Sequence, residues 1–191
     1  MLITTAEAIV RYLIAQRAVV ETTPGATAVE APLVPGVFAI FGHGNVTSFG
    51  HSLEMHRAQL PLWRGQNEQG MALAAVAYAK AVRRQQFMVA TSSVGPGATN
   101  MVTAAGVAMA NRLPVLLISG DTFHGRLPDP VLQQVEHPGT PSMTVNDAFR
   151  PVVRYWDRIT DPAQVITSLP QAVSMLRDPG ECGPAFIGLP Q

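Results

Sequence analysis

The chain has 191 residues, 47% of them hydrophobic and 14% charged, and its 13 basic side chains balance 13 acidic ones. This length allows one domain with a full hydrophobic core, and the neutral balance gives no support to nucleic-acid or polyanion binding, which needs a basic surface. So few charges would cover a lone domain sparsely, which predicts that part of the surface contacts a partner.

The first half of the chain alternates between helix-like and strand-like patterns. Residues 5–20 have apolar side chains at helical spacing, with Thr4 or Thr5 as the expected cap and Glu7 in the first turn. The Pro- and Gly-rich stretch 21–36 predicts a surface loop, and the apolar run at 37–42 predicts a buried parallel strand. A helix at 46–57, a short strand at LPLW (60–63) and a helix from Asn67 to Arg84 follow.

The second half continues the alternation. We expect strands at 87–93, 114–120, 155–159 and 184–190, with helices at 98–111, 146–153 and from Pro162 to about Arg177. Residues 121–142 contain several prolines and no sustained period, which predicts a long loop of the kind that is usually functional or disordered. The order of elements indicates an α/β fold, a three-layer αβα sandwich with a central parallel sheet.

Ligands of open α/β sheets bind at the carboxyl ends of strands, and two turns at such ends are rich in glycine. In FGHGNV (41–46), Gly42 and Gly44 permit close approach of a ligand, but Thr47 stands where a dinucleotide fingerprint needs a third glycine. TSSVGPGATN (91–100) presents N–H groups at a helix start, yet it lacks the lysine of a P-loop and the Gly-x-Ser-x-Gly of a nucleophile elbow. Each turn is as consistent with a plain connector as with a ligand site.

A third turn, GQNEQG (65–70), places Glu68 at the start of a long apolar helix. With Asn67 as the cap, an acid beside the positive end of the helix dipole is ordinary helix chemistry, and residue type alone favours this structural interpretation. The apolar neighbours at 71–76 permit a second one, because a partly desolvated carboxylate holds a proton more strongly and can share it with a ligand nitrogen.

The remaining chemistry-bearing side chains are sparse. Neither the single cysteine, Cys182, nor the five histidines show metal-site spacing, so no metal site is expected within the chain; the histidines are His43, His51, His56, His124 and His137. His43 and His124 are each able to orient or protonate a substrate, although a solvated loop histidine is commoner. A lone cysteine excludes an internal disulfide, and neither a signal peptide nor a membrane-spanning run is present, so we expect a soluble, cytoplasmic protein.

Taken in order, VFAIFGHGN, NEQGMALAAVAYA, TSSVGPGATNMVTAA and ANRLPVLLISGD resemble the N-terminal pyrimidine-binding domain of thiamine-diphosphate-dependent enzymes of the acetolactate-synthase type. The resemblance covers nearly the whole chain. Within that superfamily, GHGN, PDPVLQQVE, NDAFRPV and YWDRI are more similar to a hydrolase branch of myo-inositol catabolism. The resemblance implies the thiamine-diphosphate-binding fold and C–C bond cleavage that opens a cyclic 1,2-dione to 5-deoxyglucuronate.

The resemblance also implies roles for individual residues. Glu68 matches the catalytic glutamate that hydrogen-bonds N1′ of the cofactor's aminopyrimidine. His43 is the candidate for handling substrate oxygens, and Gln133 or Gln134 lies where related enzymes direct a glutamine at the substrate. The other implied cofactor-binding residues are Gly42, Gly44, Asn45, Ser93, Gly95 and Asn100.

The same resemblance implies that residues 1–191 are the first of three domains, cut at a domain edge. GDT at 120–122 is not the Gly-Asp-Gly motif of the diphosphate- and Mg²⁺-binding domain, because Thr122 replaces the final glycine. That domain and the middle domain are absent from this sequence. In the family the active site lies between two subunits, so we expect a homo-oligomeric full-length enzyme and an inactive fragment.

Two alternatives stay open at this point. One is a 2-keto-acid ligase or decarboxylase similar to acetolactate synthase, against which GHGN and NDAFR argue by resemblance. The other is a non-catalytic, flavodoxin-like binding module, which the generic α/β pattern supports but does not establish.

Overall fold

The computed structural model describes residues 2–125, 132–135 and 137–190. The strands are β1 (Arg17–Val20), β2 (Val29–Pro32), β3 (Val37–Ile40), β4 (Leu62–Arg64), β5 (Val89–Ser92), β6 (Leu116–Asp121), β7 (Tyr155–Arg158) and β8 (Ala185–Pro190). The α-helices are α1 (Thr5–Ala15), α2 (His51–Met55), α3 (Glu68–Ala81), α4 (Pro96–Thr99), α5 (Val102–Asn111) and α6 (Val165–Arg177). A π-helical turn (Val46–Gly50) and 3₁₀ helices at Val145–Val152 and Pro162–Gln164 complete the described elements.

Six strands form one parallel sheet in the order β4-β3-β5-β6-β8-β7, so the predicted α/β class is confirmed. Side chains alternate between two cores because successive residues of a strand point to opposite faces. Leu116 and Ile118 of β6 pack with α1, α2 and α6, while Leu117 packs with α3, α5 and the 3₁₀ helix at Val145–Val152. Helices therefore cover both faces of the sheet, which is the three-layer arrangement that the sequence predicts.

The N-terminal region differs from the prediction. Helix α1 is capped by Thr4, whose Oγ1 accepts a hydrogen bond from the Glu7 N–H group, but it ends at Ala15 instead of Val20. Residues Arg17–Val20 instead pair antiparallel with Val29–Pro32, a segment that the sequence assigned to a loop. The reason is a non-local pairing: the ribbon buries Ala18 and Val20 and leaves the alternate positions exposed.

Three predicted helices are shorter or divided. The segment 46–57 is a π-helical turn followed by α2, and 98–111 is divided between α4 and α5. Helix α3 begins where expected, with Asn67 Oδ1 accepting from the Gly70 N–H group at 3.0 Å. It ends at Ala81 and not at Arg84, because Arg83 and Arg84 have positive φ angles of 56° and 63° and cannot continue a right-handed helix.

The predicted long loop follows β6, which extends through Asp121. Residues 122–125, 132–135 and 137–142 form no helix or strand, as expected, while residues 126–131 and 136 lie outside the described residues. The loop brings Gln133 and Gln134 back to the carboxyl ends of the strands, where the candidate site lies.

Candidate functional site

The sheet has a topological switch point between β3 and β5. These strands are neighbours, but the chain leaves β3 towards β4 on one side and leaves β5 towards β6 on the other. Such a divergence opens a crevice at the carboxyl ends of the two strands, where open α/β sheets bind ligands. The turns at 41–46 and 93–95 and the start of α3 all lie at this edge.

Asn45 ties the two turns together from the inside. Its side chain is 2% exposed, and its Nδ2 donates to the Ser92 carbonyl oxygen at 2.7 Å and to Thr91 Oγ1 at 3.4 Å. Both donor hydrogens of the amide are thus used within the protein, so these contacts indicate a structural role for Asn45. Its predicted role in cofactor binding stays a prediction.

Gly44 allows the same turns to touch. A Cβ atom at position 44 would lie 3.0 Å from Val94 Cγ1, which is tighter than ordinary van der Waals contact, and Gly120 at the end of β6 packs against the Gly44 carbonyl in turn. A larger residue would push the β3 turn away from β5 and β6. Gly44 therefore supports close packing of three strand ends.

Gly42, His43, Ser93 and Gln133 form a polar cluster at the surface of the crevice. Gln133 Oε1 lies 3.3 Å from Ser93 Oγ, which donates to it, and 3.2 Å from His43 Nδ1. A Cβ atom at Gly42 would overlap the Ser93 side chain and lie 3.1 Å from Gln133 Oε1, so only glycine leaves room for this contact. The structure thus brings together four of the residues that the sequence singled out.

Gly95 holds the returning loop against the turn. Its φ of 71° and ψ of −125° lie in a region that essentially only glycine occupies. A Cβ atom there would overlap the Gln133 carbonyl oxygen, and Gln133 itself has a φ of 65°.

The neighbouring residue Gln134 is half-buried. The oxygen and nitrogen of its side-chain amide are both buried, and neither has a hydrogen-bond partner within the described chain. Because a buried amide without a partner is costly, it marks a position that a ligand or another protein surface can satisfy.

Glu68 and Asn100 form the second polar cluster of the edge. Asn100 Nδ2 donates to Glu68 Oε2 at 2.9 Å, which links the first turn of α3 to the end of α4 across 32 residues of sequence. A Cβ atom at Gly97 would lie 3.2 Å from Glu68 Oε1, so the glycine keeps space beside that oxygen. Glu68 is half-buried and Asn67 caps the helix, so both the structural and the chemical interpretation of the acid are compatible with the geometry.

The apolar stretch after Glu68 has a structural explanation. Met71, Ala72, Ala75, Val76 and Ala79 are buried and pack against α5 on one face of the sheet. These contacts stabilise the helix pair. Helix packing is therefore enough to explain why this stretch is apolar, without a role for it in desolvating the Glu68 carboxyl group.

An ion-pair network that was not predicted from the sequence lies beside the switch point, at the end of β6. Asp121 is fully buried, and its Oδ2 accepts a hydrogen bond from Arg158 Nε at 2.7 Å. The Nη2 atom of Arg158 donates to Thr144 Oγ1 at 2.7 Å and to Asp147 Oδ2 at 3.2 Å. Burial alone raises the pKa of Asp147, but hydrogen bonds from Arg150 and the Thr144 N–H group and the charge of Arg158 outweigh it and lower that pKa. The NDAFR motif, which contains Asp147, is the feature of the sequence that could have indicated this network.

The sequence also led to expectations about metal binding, the single cysteine and membrane-spanning segments. Among the residues that the structure describes, no three His, Cys, Asp or Glu side chains cluster closely enough to hold a metal ion. Cys182 is buried, and burial is the main cause that raises the pKa of its thiol, so it belongs to the inert type of cysteine. No helix in the described ranges has the length and apolar character needed to cross a membrane.

A parallel sheet with glycine-rich turns and polar side chains at its switch point is typical of α/β domains that bind small molecules. A family model described as thiamine pyrophosphate enzyme, N-terminal TPP binding domain, matches residues 25–140. The chain belongs to this family of thiamine pyrophosphate enzymes.

Curated relatives carry a more specific name. The chain is 50% identical to the 3D-(3,5/4)-trihydroxycyclohexane-1,2-dione hydrolase of Shouchella clausii over 189 residues, 99% of this chain and 29% of the relative. It is 49% identical to the proteins of the same name from Bacillus subtilis and Clostridium tetani, covering 29% and 28% of them. The chain therefore spans less than a third of the length of these relatives.

Proposed function

We propose that this chain is the pyrimidine-binding part of a thiamine-diphosphate-dependent hydrolase that opens 3D-(3,5/4)-trihydroxycyclohexane-1,2-dione to 5-deoxyglucuronate in myo-inositol catabolism. The observation that carries the proposal is the near-50% identity over 99% of the chain to relatives that are named for this reaction. The switch-point geometry supports it, because the residues that the resemblance selects gather at one edge of the sheet.

Glu68 is the proposed catalytic residue of this domain. The fit rests on the Glu68 environment: Asn100 holds Oε2, while Gly97 leaves space beside Oε1. With Oε2 restrained by Asn100, Oε1 would be the oxygen that hydrogen-bonds N1′ of a bound aminopyrimidine, and the carboxyl group would hold a proton there. Bound thiamine diphosphate supplies the carbanion chemistry that C–C bond cleavage requires.

The other residues of the edge receive supporting roles. Gly42, Gly44 and Gly95 permit close approach of backbone and ligand, and Ser93 and Asn100 orient side chains that face the crevice. His43, Gln133 and Gln134 are proposed to contact hydroxyl and carbonyl oxygens of the dione, because an imidazole and two amides can offer both donors and acceptors.

Residues 1–191 are proposed to be the first domain of a longer cytoplasmic enzyme that works as a homo-oligomer. The relatives extend well beyond this chain, and the diphosphate and its Mg²⁺ would be held by a domain that this sequence does not contain. The exposed Trp63 and Val46 and the unpartnered Gln134 amide support a surface that another domain covers. In this arrangement the site lies between two subunits and the fragment alone is inactive.

The family assignment leaves one competing function, a 2-keto-acid ligase or decarboxylase similar to acetolactate synthase. It shares the fold and the glutamate, so the difference lies in the substrate. Incubating the full-length enzyme with the cyclic dione and, separately, with pyruvate distinguishes the two. Ring opening of the dione supports the proposal, and acetolactate formation without ring opening supports the alternative.

The role of Glu68 is tested by Glu68→Gln in the full-length enzyme. Because proton transfer by a positioned side chain typically contributes 10²–10⁴-fold, we expect kcat to fall at least about 10²-fold. Glu30→Gln is the matched control, since the side chain of Glu30 is exposed and pairs only with Arg17 among the described ion pairs. Near-normal turnover of Glu68→Gln would contradict the assigned role.

A further inference from the structure

Two polar side chains at the switch point, Ser93 and His43, converge on one acceptor oxygen. The Ser93 hydroxyl donates to Gln133 Oε1 at 3.3 Å, and His43 Nδ1 lies 3.2 Å from the same oxygen. An amide carbonyl oxygen has two lone pairs and no hydrogen, so it can accept a hydrogen bond from each of two side chains but cannot donate one. For the contact with His43 to be a hydrogen bond, the imidazole must carry its proton on Nδ1.

The placement of Gln133 is restricted by its surroundings. Its carbonyl oxygen rests on Gly95, where any Cβ atom would overlap it, and its own φ of 65° is one that few non-glycine residues adopt. Gly42 leaves the space that the Oε1 atom occupies. Ser93 is 4% exposed, so its hydroxyl is fixed in position and has little competing water.

We propose that Ser93 is a positioning residue that acts through Gln133 on His43. By holding Oε1 of Gln133 towards the imidazole, Ser93 favours the tautomer of His43 that carries its proton on Nδ1. The ring nitrogen with a lone pair is then Nε2, which is the nitrogen able to accept a proton from a hydroxyl group or from water. The catalytic consequence rests on the proposed function, whereas the tautomer itself does not.

The tautomer is measured by solid-state ¹⁵N NMR of the full-length enzyme with labelled histidine, because protonated and unprotonated ring nitrogens have distinct shifts. His43→Gln identifies the signals of His43 by their loss. Where the ring carries a single proton, we expect that proton on Nδ1 and none on Nε2. The opposite tautomer in the unsubstituted enzyme would overturn the proposal, whatever the activity of any variant.

Three substitutions test the route through Gln133. Gln133→Leu removes the acceptor and is expected to abolish the preference for the Nδ1 proton, whereas Gln133→Glu keeps an acceptor oxygen and should retain it. Ser93→Ala is expected to weaken the preference, because the amide is then free to rotate. Ser174→Ala, an exposed serine on α6, is the matched control and should leave the spectrum unchanged. An unchanged His43 spectrum in Ser93→Ala would overturn the role of Ser93, and an unchanged spectrum in Gln133→Leu would overturn the route through Gln133.

Activity supplies the second measurement. Ser93→Ala is expected to lower kcat about fivefold, or about 1 kcal/mol at 1.36 kcal/mol per tenfold, with little change in KM. An unchanged kcat would contradict the positioning role in catalysis. Failure of the proposed function is distinguishable, because an enzyme that does not open the dione at all can still show the expected tautomer.

Discussion

The contact of Asn45 with the Ser92 carbonyl makes a sharp prediction for Asn45→Asp. This change keeps the shape of the side chain but replaces the donating amide nitrogen, 2.7 Å from the Ser92 oxygen, with a carboxylate oxygen that cannot donate. The group is 2% exposed, so water cannot replace the lost partner. The folded protein must either bury the charge beside a carbonyl oxygen or take up a proton.

Proton uptake sets the magnitude. An aspartate in the unfolded chain has a pKa of about 3.9, so protonating it at pH 7 costs about 4 kcal/mol at 1.36 kcal/mol per unit. The protonated carboxyl group can donate to the Ser92 carbonyl as the amide did. The loss of unfolding free energy is therefore expected to reach about 4 kcal/mol at pH 7, a large fraction of the ~5–15 kcal/mol typical of a domain.

The sign of the pH dependence follows from the raised pKa of the introduced carboxyl group. Below about pH 4 both states are protonated and the penalty nearly vanishes. As the pH rises above that value the penalty grows by about 1.4 kcal/mol per unit, until the folded state also ionises. Urea denaturation of the 191-residue chain at several pH values, followed by circular dichroism, measures this slope.

Asn111→Asp is the matched control. Asn111 Nδ2 also donates to a backbone carbonyl, that of Val107 at 2.8 Å, but the side chain is exposed at the end of α5. Water can solvate the new charge there, so we expect a loss below about 1 kcal/mol, mostly from the helix dipole. Equal losses for the two variants, or a pH-independent loss for Asn45→Asp, would refute the view that Asn45 is a buried link between the turns.

Two further predictions concern the edges of the site. Gly95→Ala should lower the free energy of unfolding by about 2–4 kcal/mol, because of backbone strain and displacement of the Gln133 loop. The control Gly25→Ala, where φ is 80° and no atom lies within 4 Å of the added Cβ, should cost only about 1–2 kcal/mol of strain. Equal losses in urea denaturation would contradict the close contact between Gly95 and Gln133. Asp147→Asn should cost about 1–3 kcal/mol at pH 7. Because the pKa of Asp147 is lowered in the folded state, the difference from the unsubstituted chain should shrink as the pH falls below about 4; a difference that grows in acid would contradict the network.

Much of the fold could be predicted because the central strands are buried on both faces. Every residue of β5 and β6 is buried, and each strand is marked in the sequence by a short apolar run, FMVA (87–90) and VLLI (115–118), that precedes a polar or glycine-containing end. The β1–β2 ribbon could not be predicted in the same way. Its strands are four residues long and gain their stability from each other, so the alternation of Arg17–Val20 was assigned to the preceding helix.

The candidate site, like the fold, could be predicted only in part. The turns that carry it were identifiable from glycines that follow apolar runs, and Asn67 and Glu68 from helix-start chemistry. The pairings inside it were not, because Asn100 meets Glu68 across 32 residues and Gln133 meets Ser93 across 40. The ion pair of buried Asp121 with partly buried Arg158 was not predicted for the same reason, because it joins two strand ends that are separated by 37 residues.

We propose that the Glu68 carboxyl group holds a proton against the pyrimidine of thiamine diphosphate. A crystal structure of the full-length enzyme with this cofactor would show whether it does. We expect a Glu68 oxygen about 2.6–3.2 Å from N1′, with Asn100 still bonded to the other oxygen. A Glu68 side chain directed into bulk solvent, with a different residue at N1′, would contradict it.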